Sequence, residues 1–226
     1  MKILTFDTSS DKTYVTIGED SRIEAYKIVE NTQQFYSAAF LIPTIVELLQ
    51  NLNLTMQDIA AVGVNIGPGS FTGIRVSATV AKTIGQALDI PIVGISCFAI
   101  ISLINNTDKN TLCLFDAKRG KAYIGIYTSE GDVIQEPNML EYDKAVEYAK
   151  NTDFYIIADN SMSEKLKTAG IEYTNLQEIN YNLGIYLARL TCKYLKQNND
   201  DKYKWSNLNP LYIQPPPISM PKTICI

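Results

Sequence analysis

Residues 60–75, AAVGVNIGPGSFTGIR, change character midway. The opening AAVGVNI is apolar and rich in β-branched side chains, which reads as a buried strand. Gly67-Pro68-Gly69 breaks the run, and a helix begins at Ser70 or Thr72 and continues to about residue 88. Glycine permits positive φ and lets amides approach whatever lies opposite. A helix start leaves free N–H groups and a partial positive charge. Together these make the geometry of an anion cradle, but the spelling fails two known ones. A Walker loop needs a lysine, which neither register supplies. A dinucleotide loop needs glycine where Thr72 stands; Gly73 comes one residue late, and Pro68 removes a donor amide. A tight turn packed against protein is the plainer reading.

Upstream, residues 2–7 form a strand ending at Asp7, followed by the turn cluster Thr8-Ser9-Ser10-Asp11. Residues 13–17 and 22–29 complete a three-stranded antiparallel meander. A helix over 34–52 carries two apolar stripes, one of Phe35, Ala39, Ile42, Val46 and Leu49, the other of Leu41, Ile45, Leu48 and Leu52. One stripe suffices for a helix lying on a core; two call for cover on a second side. In the helix over 70–88, Gly73, Ser77, Ala81 and Gly85 share one face through their spacing of four. That line either packs on the domain's own sheet or admits a second helix.

A strand at 91–95 and a helix at 96–105 close the first half, and the polar run Asn105 to Asn110 marks a boundary. The second half repeats the order. A strand over 112–116 ends at Asp116, and a turn at Lys118-Arg119-Gly120 leads to strands at 122–128 and 132–135. Helices at 142–150, 162–169 and 180–197 surround a strand at 154–158. We read an internal duplication: one lobe over 1–107, a second over 108–209, and a tail over 210–226. The tail holds five prolines and reads as an extended strap or a partly disordered segment.

Composition narrows the chemistry. A net charge of -4 without a basic run makes a poor binder of RNA on its own. The absence of histidine excludes histidine acid–base catalysis, Ser-His-Asp triads and the commonest zinc sites. Cys97, Cys113, Cys192 and Cys225 form no C-x-x-C pair and read as reduced, mostly buried thiols of a cytosolic protein. The N-terminus has no apolar core of signal-peptide length, and no membrane span is expected.

Asp7 and Asp116 stand at matching strand ends. Either they share a cleft and hold a metal and a water, or each caps its own turn. The first hairpin lacks the glycine of a D-x-G-x-T phosphate turn, which favours capping. Arg75, one turn into its helix, can clamp an anion, brace the loop or pair across an interface. Lys118, Arg119 and Lys121 read as a solvated turn, with an RNA phosphate contact in a complex as the alternative. No nucleophile has an adjacent base, so no catalytic residue emerges.

ILTFDTSS, GPGSFTGIR, DAKRGKAY and NPLYIQ occur in this order across nearly the whole chain. The set resembles the bacterial TsaB family, also called YeaZ, a non-catalytic paralogue of the glycoprotease-like TsaD group; GPGSFTGIR is its most specific element. The resemblance implies a duplicated actin/Hsp70-like (ASKHA) α/β fold of two lobes, each with a mixed five-stranded sheet flanked by helices. It implies a cytoplasmic, non-catalytic scaffold or activating subunit for installing threonylcarbamoyl on tRNA adenosine, with no cofactor or metal of its own. Its partners would be a TsaD-like transferase in a heterodimer and a TsaE-like ATPase in a larger complex, with a homodimer when alone. Contact with tRNA would be indirect or within the complex. An ASKHA-type kinase, another nucleotide-binding enzyme and a glycoprotease-like peptidase are the alternatives.

On this reading the partner interface draws on Phe35, Ala39, Ile42, Val46, Pro68, Phe71, Thr72, Gly73, Arg75, Ser77, Ala81 and Gly85. A charge at Ala81 would then break the complex and leave the chain folded. The sequence departs from the family pattern at Phe35-Tyr36-Ser37, where a His-Ser pair is common. It departs also at Lys118, where arginine is common, and at Gln214, where the late motif often ends in arginine.

Overall fold

The structure, a computed structural model, describes residues 1–20, 22–30, 37–179, 181–197 and 201–213. Expectations at Phe35, Tyr36, Gln214, Cys225 and most of the proline-rich tail lie outside these residues, as do the side chains of Ser37 and Ala38.

Five strands, β1 (Lys2–Asp7), β2 (Lys12–Glu19), β3 (Arg22–Glu30), β4 (Ala61–Gly67) and β5 (Ile92–Ser96), make the first sheet in the order β3-β2-β1-β4-β5. The first three pair antiparallel as the meander requires, and β4 and β5 continue parallel to β1. Three helices interrupt this half: α1 (Ser37–Asn51), α2 (Phe71–Leu88) and α3 (Cys97–Ser102). The second sheet uses β6 (Thr111–Lys118), β7 (Lys121–Tyr127), β8 (Val133–Glu141), β9 (Tyr155–Ala158) and β10 (Thr174–Asn175), in the order β10-β9-β6-β7-β8. Its pairing directions repeat those of the first. With α4 (Tyr142–Lys150), α5 (Asn160–Thr168) and α6 (Leu183–Leu195), each half runs βββαβαβα. The duplication and the two mixed five-stranded sheets are as expected.

Strand β1 is buried on both faces. Leu4 and Phe6 meet Leu41, Ile45 and Leu48 of α1 and Ala78 and Ala81 of α2 in one core. Ile3, on the opposite face, packs against Ala188 and Cys192 of α6. Thus α6, in sequence the last helix of the second half, covers the first sheet, against β1, β2, β4 and β5. Leu208 and Trp205 also enter the first core. The second lobe expected over 108–209 therefore lends its last elements to the first. Helix α3 works in the other direction, joining β6 and β7 as well as its own sheet.

Candidate partner-binding face

The glycine turn is filled by the protein itself. The Gly67–Pro68 peptide is cis, and Gly67 has φ +109. The Gly67 N–H donates to Asn65 Oδ1 at 2.8 Å, and the Ser70 N–H donates to the Ser9 carbonyl at 2.7 Å. Ser70 caps α2, its hydroxyl accepting from the Gly73 N–H at 3.3 Å. From the first hairpin, the Thr8 hydroxyl donates to the Gly73 carbonyl at 2.6 Å and sits 2.7 Å from the Ser77 hydroxyl. The first hairpin therefore takes up the Ser70 amide and packs on the start of α2, so the turn packs against protein.

The two strand-end aspartates have separate partners and opposite electrostatics. Asp7 is buried; its Oδ1 accepts from the Ser9 N–H at 2.7 Å and its Oδ2 from Asn65 Nδ2 at 2.9 Å. Burial pushes its carboxyl above the ordinary value of 3.8, and these hydrogen bonds only partly offset that. Asp116 accepts from the Lys118 N–H and ammonium, both at 2.7 Å, and from the Tyr142 hydroxyl at 2.6 Å. Burial would raise it too, but these donors prevail and hold it at about 2. Each carboxyl caps its own turn, and no hydrogen bond joins the two.

The signs yield a test. The unfolded chain ionises Asp7 at lower pH than the folded chain, so the Asp7 contribution to stability is full below 3.8 and fades as pH rises through the raised folded value. Denaturant unfolding across pH should therefore show the unaltered chain losing stability relative to Asp7→Asn as pH rises. A constant difference would refute the burial effect. Asp116 behaves oppositely: its contribution is present above 3.8 and is lost as pH falls toward 2.

The small-residue line requires a correction. Gly73, Ser77, Ala81 and Gly85 are all buried against their own domain. A Cβ on Gly73 would lie 1.8 Å from the Thr8 carbonyl oxygen, and one on Gly85 would lie 2.6 Å from Ile92. Pro68 is likewise buried. These five expected interface residues face inward, because a spacing of four defines a helix face without saying which side meets the sheet.

The other expected residues that the structure describes form an outer face. On α1, Ala39, Ile42 and Val46 are exposed while Leu41, Ile45 and Leu48 enter the core, so the stripe of Ala39, Ile42 and Val46 is uncovered, although its last member, Leu49, turns into the core. On α2, which lies beside α1, Phe71, Thr72 and Arg75 are exposed. Ile42, Val46 and Phe71 are 48%, 45% and 47% accessible, values large enough for a partner to bury. Arg75 lies across Phe71, its Cζ 3.9 Å from the ring centroid, and its Nε donates to the Tyr212 hydroxyl at 3.1 Å. Sequence reasoning missed Tyr212 as part of this face; an aromatic in an irregular segment gives no periodicity to place it.

Elsewhere, Lys118 and Lys121 are paired with Asp116 and Glu141 around a turn of positive-φ residues, and Arg119 is exposed. Cys97, Cys113 and Cys192 are free and buried. Among the described residues, no three of His, Cys, Asp and Glu gather as metal ligands, and no helix is long and apolar enough to cross a membrane.

Residues 32–189 match the family model described as "TsaD: tRNA N6-adenosine threonylcarbamoyltransferase". Over 138 residues, the chain is 30% identical to the tRNA threonylcarbamoyladenosine biosynthesis protein TsaB of Bacillus subtilis, covering 60% of this chain and 59% of that protein. It is 35% identical over 128 residues to the TsaB protein of Buchnera aphidicola subsp. Schizaphis graminum, covering 55% and 60%. The match thus spans at most 60% of either relative's length. The solved structure of YeaZ from Pseudomonas aeruginosa superposes with a TM-score of 0.74 over 93% of this chain and 99% of that one, at 18% identity. The family model covers more than half of the chain and the matched TsaB proteins agree with it, on a fold of the same kind: the chain belongs to the TsaB/YeaZ family.

Proposed function

We propose that this chain takes part in tRNA threonylcarbamoyladenosine biosynthesis as a non-catalytic subunit. Its α1/α2 face docks a TsaD-type transferase and holds it in an active form. The observation that carries this reading is the uncovered apolar stripe of Ala39, Ile42 and Val46 beside Phe71 and Arg75. The internal use of the Gly67 and Ser70 amides and of both strand-end carboxyls supports a binding role over a chemical one. A TsaE-type ATPase joining the pair, a homodimer through the same face when the transferase is absent, tRNA contact only within the complex, and a cytoplasmic location belong to the same proposal.

Val46→Asp tests it. The side chain is half exposed, so the variant should keep the thermal midpoint of the unaltered chain. Placing a carboxylate in a desolvated apolar contact should weaken heterodimer formation about 30-fold, roughly 2 kcal/mol. Calorimetric titration with the transferase from the same cell measures this. Unchanged affinity would exclude the α1/α2 face.

A further inference from the structure

The docking face carries one cation in an unusual setting. Arg75 is exposed, yet no carboxylate among the described residues lies within ion-pair distance of it, in a chain with 24 acidic and 20 basic residues. By contrast, Lys27 of β3 is paired with Glu47 of α1. The guanidinium is nonetheless held in place. It stacks 3.9 Å from the Phe71 centroid, lies 5.8 Å from the Tyr212 centroid, and donates its Nε–H to the Tyr212 hydroxyl at 3.1 Å. The two rings are 5.9 Å apart and inclined at 48°.

A guanidinium carries five N–H donors in a fixed fork. Using Nε on Tyr212 leaves the terminal nitrogens for a bidentate acceptor, and stacking removes much of the rotamer freedom that binding would otherwise have to quench. A shallow groove of about 430 Å³ runs beside the fork, lined by Phe71, Thr72, Val76, Thr79 and Val80. Tyr212 is itself anchored, because the Leu211 N–H donates to the Ile66 carbonyl at 2.8 Å, immediately before the glycine turn. The turn that launches α2 thus also seats the segment that steadies its arginine.

Building on the docking role proposed above, we infer that Arg75 is the carboxylate-binding anchor of the face, and that Tyr212 is its positioning residue. The partner surface that fits is a single Asp or Glu side chain flanked by apolar residues that fill the groove. Charge complementarity selects it: the anchor is a stacked, unpaired cation with its fork free, and the surrounding groove is largely apolar.

The test titrates the full chain against the TsaD-type transferase from the same cell. Arg75→Ala should weaken binding about 10-fold and flatten the salt dependence of the dissociation constant. Arg75→Lys should lose most of the same affinity, since an ammonium offers neither the stack nor the fork. Tyr212→Phe should cost about 3-fold in the unaltered background and nothing in the Arg75→Ala background, because the hydroxyl acts through the guanidinium. All variants should keep the thermal midpoint. If Val46→Asp breaks the complex while Arg75→Ala stays within 2-fold, the anchor is overturned and the docking face stands. If the unaltered chain does not bind, or Val46→Asp binds normally, the docking face falls and the anchor with it. Additive effects of Tyr212→Phe and Arg75→Ala would remove Tyr212 from its positioning role.

Discussion

Ala81→Asp is expected to yield no folded protein. Ala81 is fully buried in the core that joins α2 to Leu4, Val62 and Val64. An ionised carboxylate there has no partner, and burying a polar or charged group without one costs several kcal/mol. The whole stability of a domain is about 5–15 kcal/mol, so a loss of about 5 kcal/mol leaves little. Expression with far-ultraviolet circular dichroism and a thermal scan would measure it. A folded Ala81→Asp chain that merely failed to bind its partner would show that α2 turns this face outward, contrary to the packing seen here. Ala81 is thus a probe of the fold, while Val46 and Arg75 are the probes of binding.

Gly73→Ala is expected to cost about 3 kcal/mol, at the upper end of overpacking effects. The added carbon would stand 1.8 Å from the Thr8 carbonyl oxygen and 2.7 Å from its carbon, both backbone atoms that no rotamer change can move aside. To make room, the first hairpin and the start of α2 must separate. That stretches the Thr8 hydroxyl bond to Gly73, its contact with Ser77 and the Ser70-to-Ser9 backbone bond. Gly170→Ala is the control. Gly170 has φ +68 with nothing near its missing Cβ, so only left-handed strain of about 1 kcal/mol applies. Guanidinium unfolding of both variants gives the comparison, and equal losses would show that close approach at Gly73 is not what matters.

Much of the fold was legible because its signals are local. The strand, turn and helix of residues 60–88 follow from composition and a glycine turn, and β4 and α2 lie where the spelling puts them. The short turn at Thr55 to Asp58 closes through the Thr55 N–H to Asp58 Oδ2 bond at 2.7 Å, a capping pattern visible in four residues. Other features depend on neighbours that a linear reading does not see. Strand β8 runs to Glu141, past Pro137, because it is a sheet edge where a missing N–H is tolerated. Strand β10, two residues long, is defined only by its pairing with β9. Of the candidate face, the two stripes of α1 were readable, and so was the existence of a small-residue line on α2. Which of those surfaces faces outward was not, because periodicity gives an angle about the helix axis and the sheet supplies the reference direction.

The return of α6 to the first sheet has a consequence for how the chain is made. The face of β1 that carries Ile3 waits for Ala188 and Cys192 of α6, which follow it in the chain only after every strand of both sheets. On the ribosome, strand β1 must stay open on one side, or shielded by something else, until α6 has emerged. A nascent chain halted before residue 183 should therefore be cleaved faster than one extended past residue 195, even though every strand of its first sheet is already present.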